Sequence, residues 1–485
     1  MLFNSFEYVF FFIAVLLVYF RLPVRPRWPI LLIASYIFYM GWRPLFVFLL
    51  MFSTLVDFTG GLVIDTAKRK IIRQLALITA VSINLGLLGF FKYFNFFATN
   101  VHSAVASAGY DFNVFYINVI LPVGISFYTF QSLSYAFDVY AGKIAAERNL
   151  LRYALYVAFF PQLEAGPIER AARLLPQVQK DKFANPQRFA DGLWLIGYGL
   201  FKKMCISDLI APLVNGVYAD PHLYNGSFLL LGTVLFAVQI YCDFSGYSDI
   251  AIGSAKMLGF DLMTNFRQPY FSRSLTEFWR RWHISLSTWF RDYVYFPLGG
   301  SHYSTGLALR NIMIVFLLSG VWHGAAWTFI IWGALHGFIL CCERGAGALL
   351  SGSRLWHRII DAPRSSFLLG VAGFFWTNAI VLIGWTFFRA RSLDDAMSIF
   401  AGMFHLGRLD LATFKALNLT SFELPLSLFQ ILILLGVDLL LFARPDLVAR
   451  LRANRLVAMT AAVLLFYDIM LFGIFEKADF IYFQF

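Results

Sequence analysis

Charge is what this 485-residue sequence has least of. Asp, Glu, Lys and Arg make up 14% of it and hydrophobic residues 59%, against about 25% charged in an ordinary soluble protein. That balance excludes a soluble globular fold. Cysteine is scarce as well: Cys205, Cys242, Cys341 and Cys342 show no CxxC or Cys/His spacing and lie in or beside apolar runs. A disulfide framework and a zinc site are thereby excluded, leaving buried thiols, or acylation of Cys341 or Cys342 at a membrane edge, and no metal is expected. Also missing are a GxSxG nucleophile elbow, a GxxxxGK[ST] phosphate loop, a GxGxxG after a strand and an HExxH pair, so the common nucleophile, nucleotide and metallohydrolase chemistries drop out. No internal repeat, low-complexity tract or soluble segment occurs, and residues 1–485 read as one integral-membrane domain.

What is present is a series of long apolar runs, at 8–20, 28–56, 75–91, 114–137, 227–241, 311–342, 366–388, 424–443 and 456–475. Since a spanning helix needs ~20 residues, they predict an all-α polytopic membrane protein with roughly ten to twelve membrane segments. The first run is read as a transmembrane helix rather than a cleaved signal, because no positive residue precedes Phe10, Glu7 does, and no small-x-small site follows Phe20. The net charge of +11 would suggest nucleic acid in a soluble protein. Here Arg21, Arg25, Arg27, Lys68, Arg69, Lys70 and Arg73 fall in short loops between apolar segments, which is the pattern of cytoplasmic loops, and no nucleic-acid partner is expected. The start of the chain then faces outward, and the stretch from Asn95 to Asn113 is expected as an external connection.

Three places break the regular pattern. From Tyr153 to Leu163 the chain is apolar but too short to cross, with charge on both flanks, which predicts a re-entrant or interfacial segment ending at Pro161 and Gly166-Pro167. Lys202 and Lys203 interrupt the next run, and the crossing within 190–219 is left open. The run 311–342 is flanked on both sides by basic sequence, up to Arg354, Arg358 and Arg364, and so should enter and leave on one side. Its 32 residues would span only ~48 Å of helix, too little for two crossings of a ~30 Å core, and His323 falls ~20 Å from Arg310.

Ionisable groups inside apolar sequence are the functional candidates. Asp243 and Asp249 are two; their structural alternative is capping, or pairing with an arginine such as Arg267 or Arg281. Arg273 to Tyr293 predicts a helix opened by a capping box, Ser274 with Glu277. Its aromatic face carries Phe278, Trp279, Trp282 and Trp289, with Arg280, Arg281 and Arg291 mostly on the other side, and it suits a membrane interface. Of eight histidines, His102, His222, His302, His357 and His405 fall in polar contexts, whereas His283, His323 and His336 sit in or against the membrane. A lone histidine on an apolar helix is ordinarily a packing residue. Against that, His283 stands on a basic interfacial helix and His323 stands deep between Trp322 and Gly324, and an imidazole near neutral pKa can take a proton from a hydroxyl and return it to a leaving group.

Phe278-Trp279-Arg280-Arg281-Trp282-His283, Phe290-Arg291-Asp292-Tyr293 and Val321-Trp322-His323-Gly324-Ala325 resemble the signature of the membrane-bound O-acyltransferase (MBOAT) superfamily. With Leu121 to Phe127, Ala165 to Arg170, Asp243 to Asp249 and the closing Tyr482 to Phe485, the resemblance spans the chain and is nearest to the bacterial alginate O-acetyltransferase branch. It implies a helical fold with re-entrant or interfacial helices around a central tunnel. His323 takes the place of the catalytic histidine and His283 that of the second polar position. His336, Asp292, Trp322 and Asp243 are supporting candidates, and Arg280, Arg281 and Arg291 are candidates for the phosphates of a donor such as acetyl-CoA. The implied function is acetyl transfer across the bacterial inner membrane to an exported or cell-wall polysaccharide, through a periplasmic SGNH-hydrolase-like partner. The alternatives are a transporter or flippase, whose inverted repeats are not found, and a non-catalytic scaffold of an export complex.

Overall fold

In a computed structural model of the chain, all residues are described except 24–26, 111–112, 119, 165, 302–303, 354–361, 418, 421, 476–479 and 482–485. Arg25, Ala165, His302, Arg354, His357, Arg358 and the closing Tyr482 to Phe485, all named above, lie outside the described residues. Among the described residues the regular structure is helical, with no strand. This is what hydrocarbon imposes, because a backbone without water must satisfy its own hydrogen bonds. Eight helices among the described residues are long and apolar enough to cross a membrane. The other segments are shorter, Arg27–Met40 among them.

The chain separates into two compact units, Met1–Ile196 with Ser248–Met263, and Gly197–Tyr247 with Thr264–Phe485. In the first unit the helices Phe6–Arg21, Phe46–Thr66 and Lys70–Leu88 follow the apolar runs. The stretch after residue 94, expected as a connection, instead continues the fourth helix. Beyond a π-helical turn at Gly89–Tyr93 the chain stays helical to Ser107, giving 38 residues. No proline or glycine stands between Asn95 and Ser107 to stop it. Conversely, the 114–137 run gives only the helix Ile125–Tyr140. Pro122 and Gly124 set its start: Gly124 is left-handed at φ 75°, and a Cβ there would strike the carbonyl oxygen of Leu163.

The short apolar segment behaves as its length requires. Leu150–Ala158 and a turn at Phe160–Leu163 are helical, and every residue from Tyr153 to Glu164 is buried in protein. The carbonyl of Tyr156, near the break between the two helices, accepts from the side-chain amides of Gln131 at 2.5 Å and Gln162 at 2.8 Å. These bonds make the break tolerable at depth.

In the second unit Pro186–Leu200 runs on through a π-helical turn, Phe201–Ser207, into Asp208–Ala219; its first residues belong to the other unit. The two lysines that obscured this stretch are buried inside it. The 311–342 run forms a helical hairpin, Thr305–His323 and Trp327–Leu350. It is longer than the uncharged run suggests because Arg310 and Glu343 lie within the helices, which reach ~28 and ~36 Å. Gly320 packs on the backbone of Phe329, Gly333 on that of Phe316, and Gly337 on Met313 and Phe316, so the two helices run antiparallel at close approach. His323 is the last residue of its helix and stands at the tip of the hairpin.

Candidate active site

The predicted helix over Arg273 to Tyr293 starts where expected and then breaks. The Ser274 hydroxyl accepts from the N–H of Glu277 at 3.1 Å, and the Glu277 carboxylate accepts from the N–H of Arg273 at 2.9 Å. Helix Leu275–Arg281 ends after two turns, His283 takes a left-handed conformation at φ 42°, and a new helix runs from Ile284 to Phe290. Asn265 makes the break possible. Its carbonyl accepts from the N–H of Ile284 at 2.9 Å, and its side-chain oxygen accepts from the N–H and hydroxyl of Ser285 at 3.2 and 2.8 Å. At the kink His283 is completely buried. Its ring lies 4.6 Å from Phe244 and 6.0 Å from Trp322, between centroids. Burial pushes its pKa down to about 3, so the imidazole is neutral.

A carboxylate fixes this kinked segment to the hairpin. Glu343 accepts from the N–H of Leu275 at 2.7 Å, the N–H of Thr276 at 3.0 Å and the Thr276 hydroxyl at 2.8 Å. Two orphan N–H groups at a helix start and a neighbouring hydroxyl are thus met by one acid, which also complements the helix dipole.

At the hairpin tip, His323 is 3% exposed. Its ring meets Trp322 at 4.9 Å, Trp332 at 4.9 Å and Phe388 at 5.2 Å, each edge to face. Trp322 therefore touches both His323 and His283, and the two histidines of the resemblance are brought to one indole. The third, His336, is one turn along from Trp332, 5.1 Å from it and 5.2 Å from Trp279. Its Nε2 points at Gly384, where a Cβ would sit 2.5 Å away. Gly384, Trp385 and Phe388 belong to the helix Pro363–Arg389, which closes the aromatic cluster from the other side.

The remaining candidates are spread out. Asp243 does not pair with Arg267 or Arg281. It lies 2.6 Å from the Lys203 ammonium, which also pairs with Asp208 at 2.9 Å, and it accepts from the N–H of Ile481 at 2.7 Å. Lys202 donates to Ser245 at 2.9 Å. The partner is a lysine because the π-helical turn carries both ammonium groups inward, which hydropathy could not show. Arg281 is held by Glu277 at 2.9 Å and covers Phe442, and Arg291 is held by Asp292 at 2.8 Å. Arg280 is exposed and makes no ion pair among the described residues. The same residues hold no cluster of three or more groups able to bind a metal.

Several residues were not legible in advance. Asn265 sits in an unremarkable loop, Glu343 looks like an ordinary helix-end acid, and Trp332, Gly384 and Trp385 look like lipid-facing or packing residues. Only the spacing of Trp332 and His336, one helical turn apart behind Trp322-His323, was a signal for any of them.

A family model described as "MBOAT, membrane-bound O-acyltransferase family" matches residues 144–388, which include all three histidines. The chain is 41% identical to the "Probable alginate O-acetylase AlgI" of Azotobacter vinelandii, over 87% of this chain and 82% of that protein. It is 34% identical to the "Peptidoglycan O-acetyltransferase" of Helicobacter pylori, over 85% and 81% respectively. With the "Teichoic acid D-alanyltransferase" of Bacillus subtilis it shares 30% identity over 46% of this chain and 59% of that one.

Proposed function

The chain belongs to the membrane-bound O-acyltransferase family and is a multi-pass O-acyltransferase, and from that premise we propose that it moves an acetyl group from cytoplasmic acetyl-CoA to the hydroxyl of an exported or cell-wall polysaccharide. The observation that carries this reading is the placement of His323, buried in aromatic rings at the tip of a hairpin and sharing Trp322 with a second buried histidine. The relatives that act on alginate and on peptidoglycan support a glycan acceptor and acetyl as the group.

In the proposed step a hydroxyl oxygen attacks the thioester carbon while its proton passes to His323. The tetrahedral intermediate then collapses, the C–S bond breaks, and the proton returns to the thiolate. His323 ends the helix Thr305–His323, so the negative pole of the helix favours the imidazolium that forms in this step. Surrounding rings keep water from competing with the acceptor. His283, held neutral, hydrogen-bonds to the reacting group or orients it. Arg280, exposed and unpaired among the described residues, meets the phosphates of the donor at the cytoplasmic side. The acetyl group reaches its polymer through a membrane tunnel and a periplasmic partner of serine-hydrolase type, in the inner membrane of a bacterium.

Replacing His323 by Ala in the full chain tests this. Acetyl ester on envelope and secreted polymers should vanish while the protein still inserts into membranes; undiminished acetylation would end the catalytic assignment. Linkage analysis of the esters with and without the protein identifies the polymer.

A further inference from the structure

The tryptophan between two histidines has a donor with nothing to give it to. Trp332 is fully buried, its ring 4.9 Å from His323 and 5.1 Å from His336, and its Nε1–H finds no acceptor among the described residues. Its neighbour Trp385, stacked on it at 6.4 Å and 16°, shows the ordinary arrangement: that indole donates to the Tyr270 hydroxyl at 3.1 Å, which donates in turn to the carbonyl of Ala237 at 2.6 Å. Folded proteins rarely leave a buried N–H unmet, and those that do are candidates for meeting a ligand. One turn earlier on the same helix face, the Thr328 hydroxyl is also buried and unmet. The Nε1–H of Trp279 is unmet as well, but its ring meets His336, whereas the Trp332 ring lies against His323, where a developing oxyanion needs a donor.

We propose that the Nε1–H of Trp332 donates a hydrogen bond to the acyl oxygen at His323 and is a catalytic residue of the transfer. The proposal rests on the acyl-transfer reading of His323. When the acceptor hydroxyl bonds to the acyl carbon and gives its proton to His323, the carbonyl electron pair moves onto oxygen. Trp332 stabilises that oxyanion until the C–S bond breaks and the thiolate takes the proton back. The indole stays neutral throughout and neither gains nor loses a proton, so only the geometry of its N–H matters. A donor of this kind acts on the transition state more than on the bound thioester, and its loss lowers turnover by about 10²- to 10³-fold.

The test uses membranes containing the full chain, supplied with radiolabelled acetyl-CoA and read as alkali-labile label in endogenous polymer. Two variants separate the N–H from the ring: Trp332→Phe, and replacement of Trp332 by benzothienylalanine, which keeps the bicyclic shape with sulfur in place of N–H. The expected result is that both lose at least 100-fold in kcat with KM for acetyl-CoA within threefold of the parent. Full activity in the benzothienylalanine protein overturns the proposal whatever the Phe variant does, since it shows that packing is all the ring supplies. His323→Ala runs in parallel. If it is inactive while the Trp332 variants turn over normally, the acyl-transfer reading stands and the Trp332 proposal falls. If it is fully active, the reading itself falls.

Discussion

A single methyl group at Gly384 is the sharpest probe of how tightly the site is built. A Cβ there would lie 2.5 Å from Nε2 of His336, 3.3 Å from Cε1 and 3.4 Å from Cδ2. The imidazole cannot swing aside cheaply, because Trp279 and Trp332 hold it edge to face at 5.2 and 5.1 Å and Phe316 stacks on it at 6.4 Å. Overpacking of this kind costs about 1–3 kcal/mol. For a chain of this length that is a fall of roughly a degree or two in melting temperature per kcal/mol, measured in detergent by intrinsic fluorescence. Acetyl transfer should fall with it, because the ring that must move adjoins Trp332 and, through it, His323. The clash can be isolated in a double-mutant cycle. In a His336→Ala background the added methyl enters space the imidazole has vacated, so Gly384→Ala should there be neutral or stabilising, with a coupling of at least ~1 kcal/mol. Equal costs in both backgrounds would show that His336 and Gly384 do not meet as described.

Three further outcomes follow from the same geometry. Lys203→Met removes the cation between Asp243 and Asp208, leaves two buried acids facing one another, and should cost about 3–5 kcal/mol; adding Asp243→Asn and Asp208→Asn should recover much of it, and no recovery in thermal melts would refute the pairing. Asn265→Ala strips the acceptor from the buried N–H and hydroxyl of Ser285, an expected loss of about 1–3 kcal/mol per unmet group; unchanged melting and turnover would show that the kink at His283 needs no such support. Burial lowers the His283 pKa from 6.5 to about 3, so the unfolded chain takes up a proton at pH values where the folded one does not. Its share of stability is complete above pH 6.5 and is lost as pH falls toward 3, by up to ~1.4 kcal/mol per pH unit. His283→Gln should therefore flatten the acid limb of a melting-temperature profile, and identical limbs would contradict a buried neutral ring.

How far the site could be read in advance depends on what kind of signal each residue leaves. Membrane helices declare themselves by composition, and the Ser274 cap by its spacing to Glu277. The short buried segment from Tyr153 to Leu163 is evident because it has too few apolar residues to cross. His323 stands out, against the packing role ordinary for a lone histidine in an apolar run, because it lies deep beside Trp322 and Gly324 and falls in the motif of the resemblance. The break at His283 leaves no such trace, since neither Trp282 nor Ile284 opposes a helix; the left-handed backbone is imposed by Asn265, remote in sequence, which gives the freed N–H of Ile284 and both donors of Ser285 an acceptor. Lys203 is opaque for the opposite reason. In the sequence it only interrupts an apolar run and leaves the crossing open, and the π-helical turn that aims it at Asp208 and Asp243 makes it an interior charge.

Trp322 and Trp332, the two hairpin tryptophans that meet His323, differ in what the fold leaves each of them. Trp322 sits against both candidate histidines, its ring 4.9 Å from His323 and 6.0 Å from His283. Trp332 sits against His323 and His336, and its Nε1–H is one of the buried donors that find no acceptor among the described residues. An isolated buried N–H is a cost of about 1–3 kcal/mol to the folded protein, and replacing the residue by Phe would remove that cost at once. If the N–H serves the reaction, Trp332→Phe should be as stable as the parent or more stable and far less active. If the group is merely tolerated, the same change should gain stability and lose nothing. Stability and turnover measured on one protein therefore decide between a flaw in packing and a piece of the catalytic apparatus.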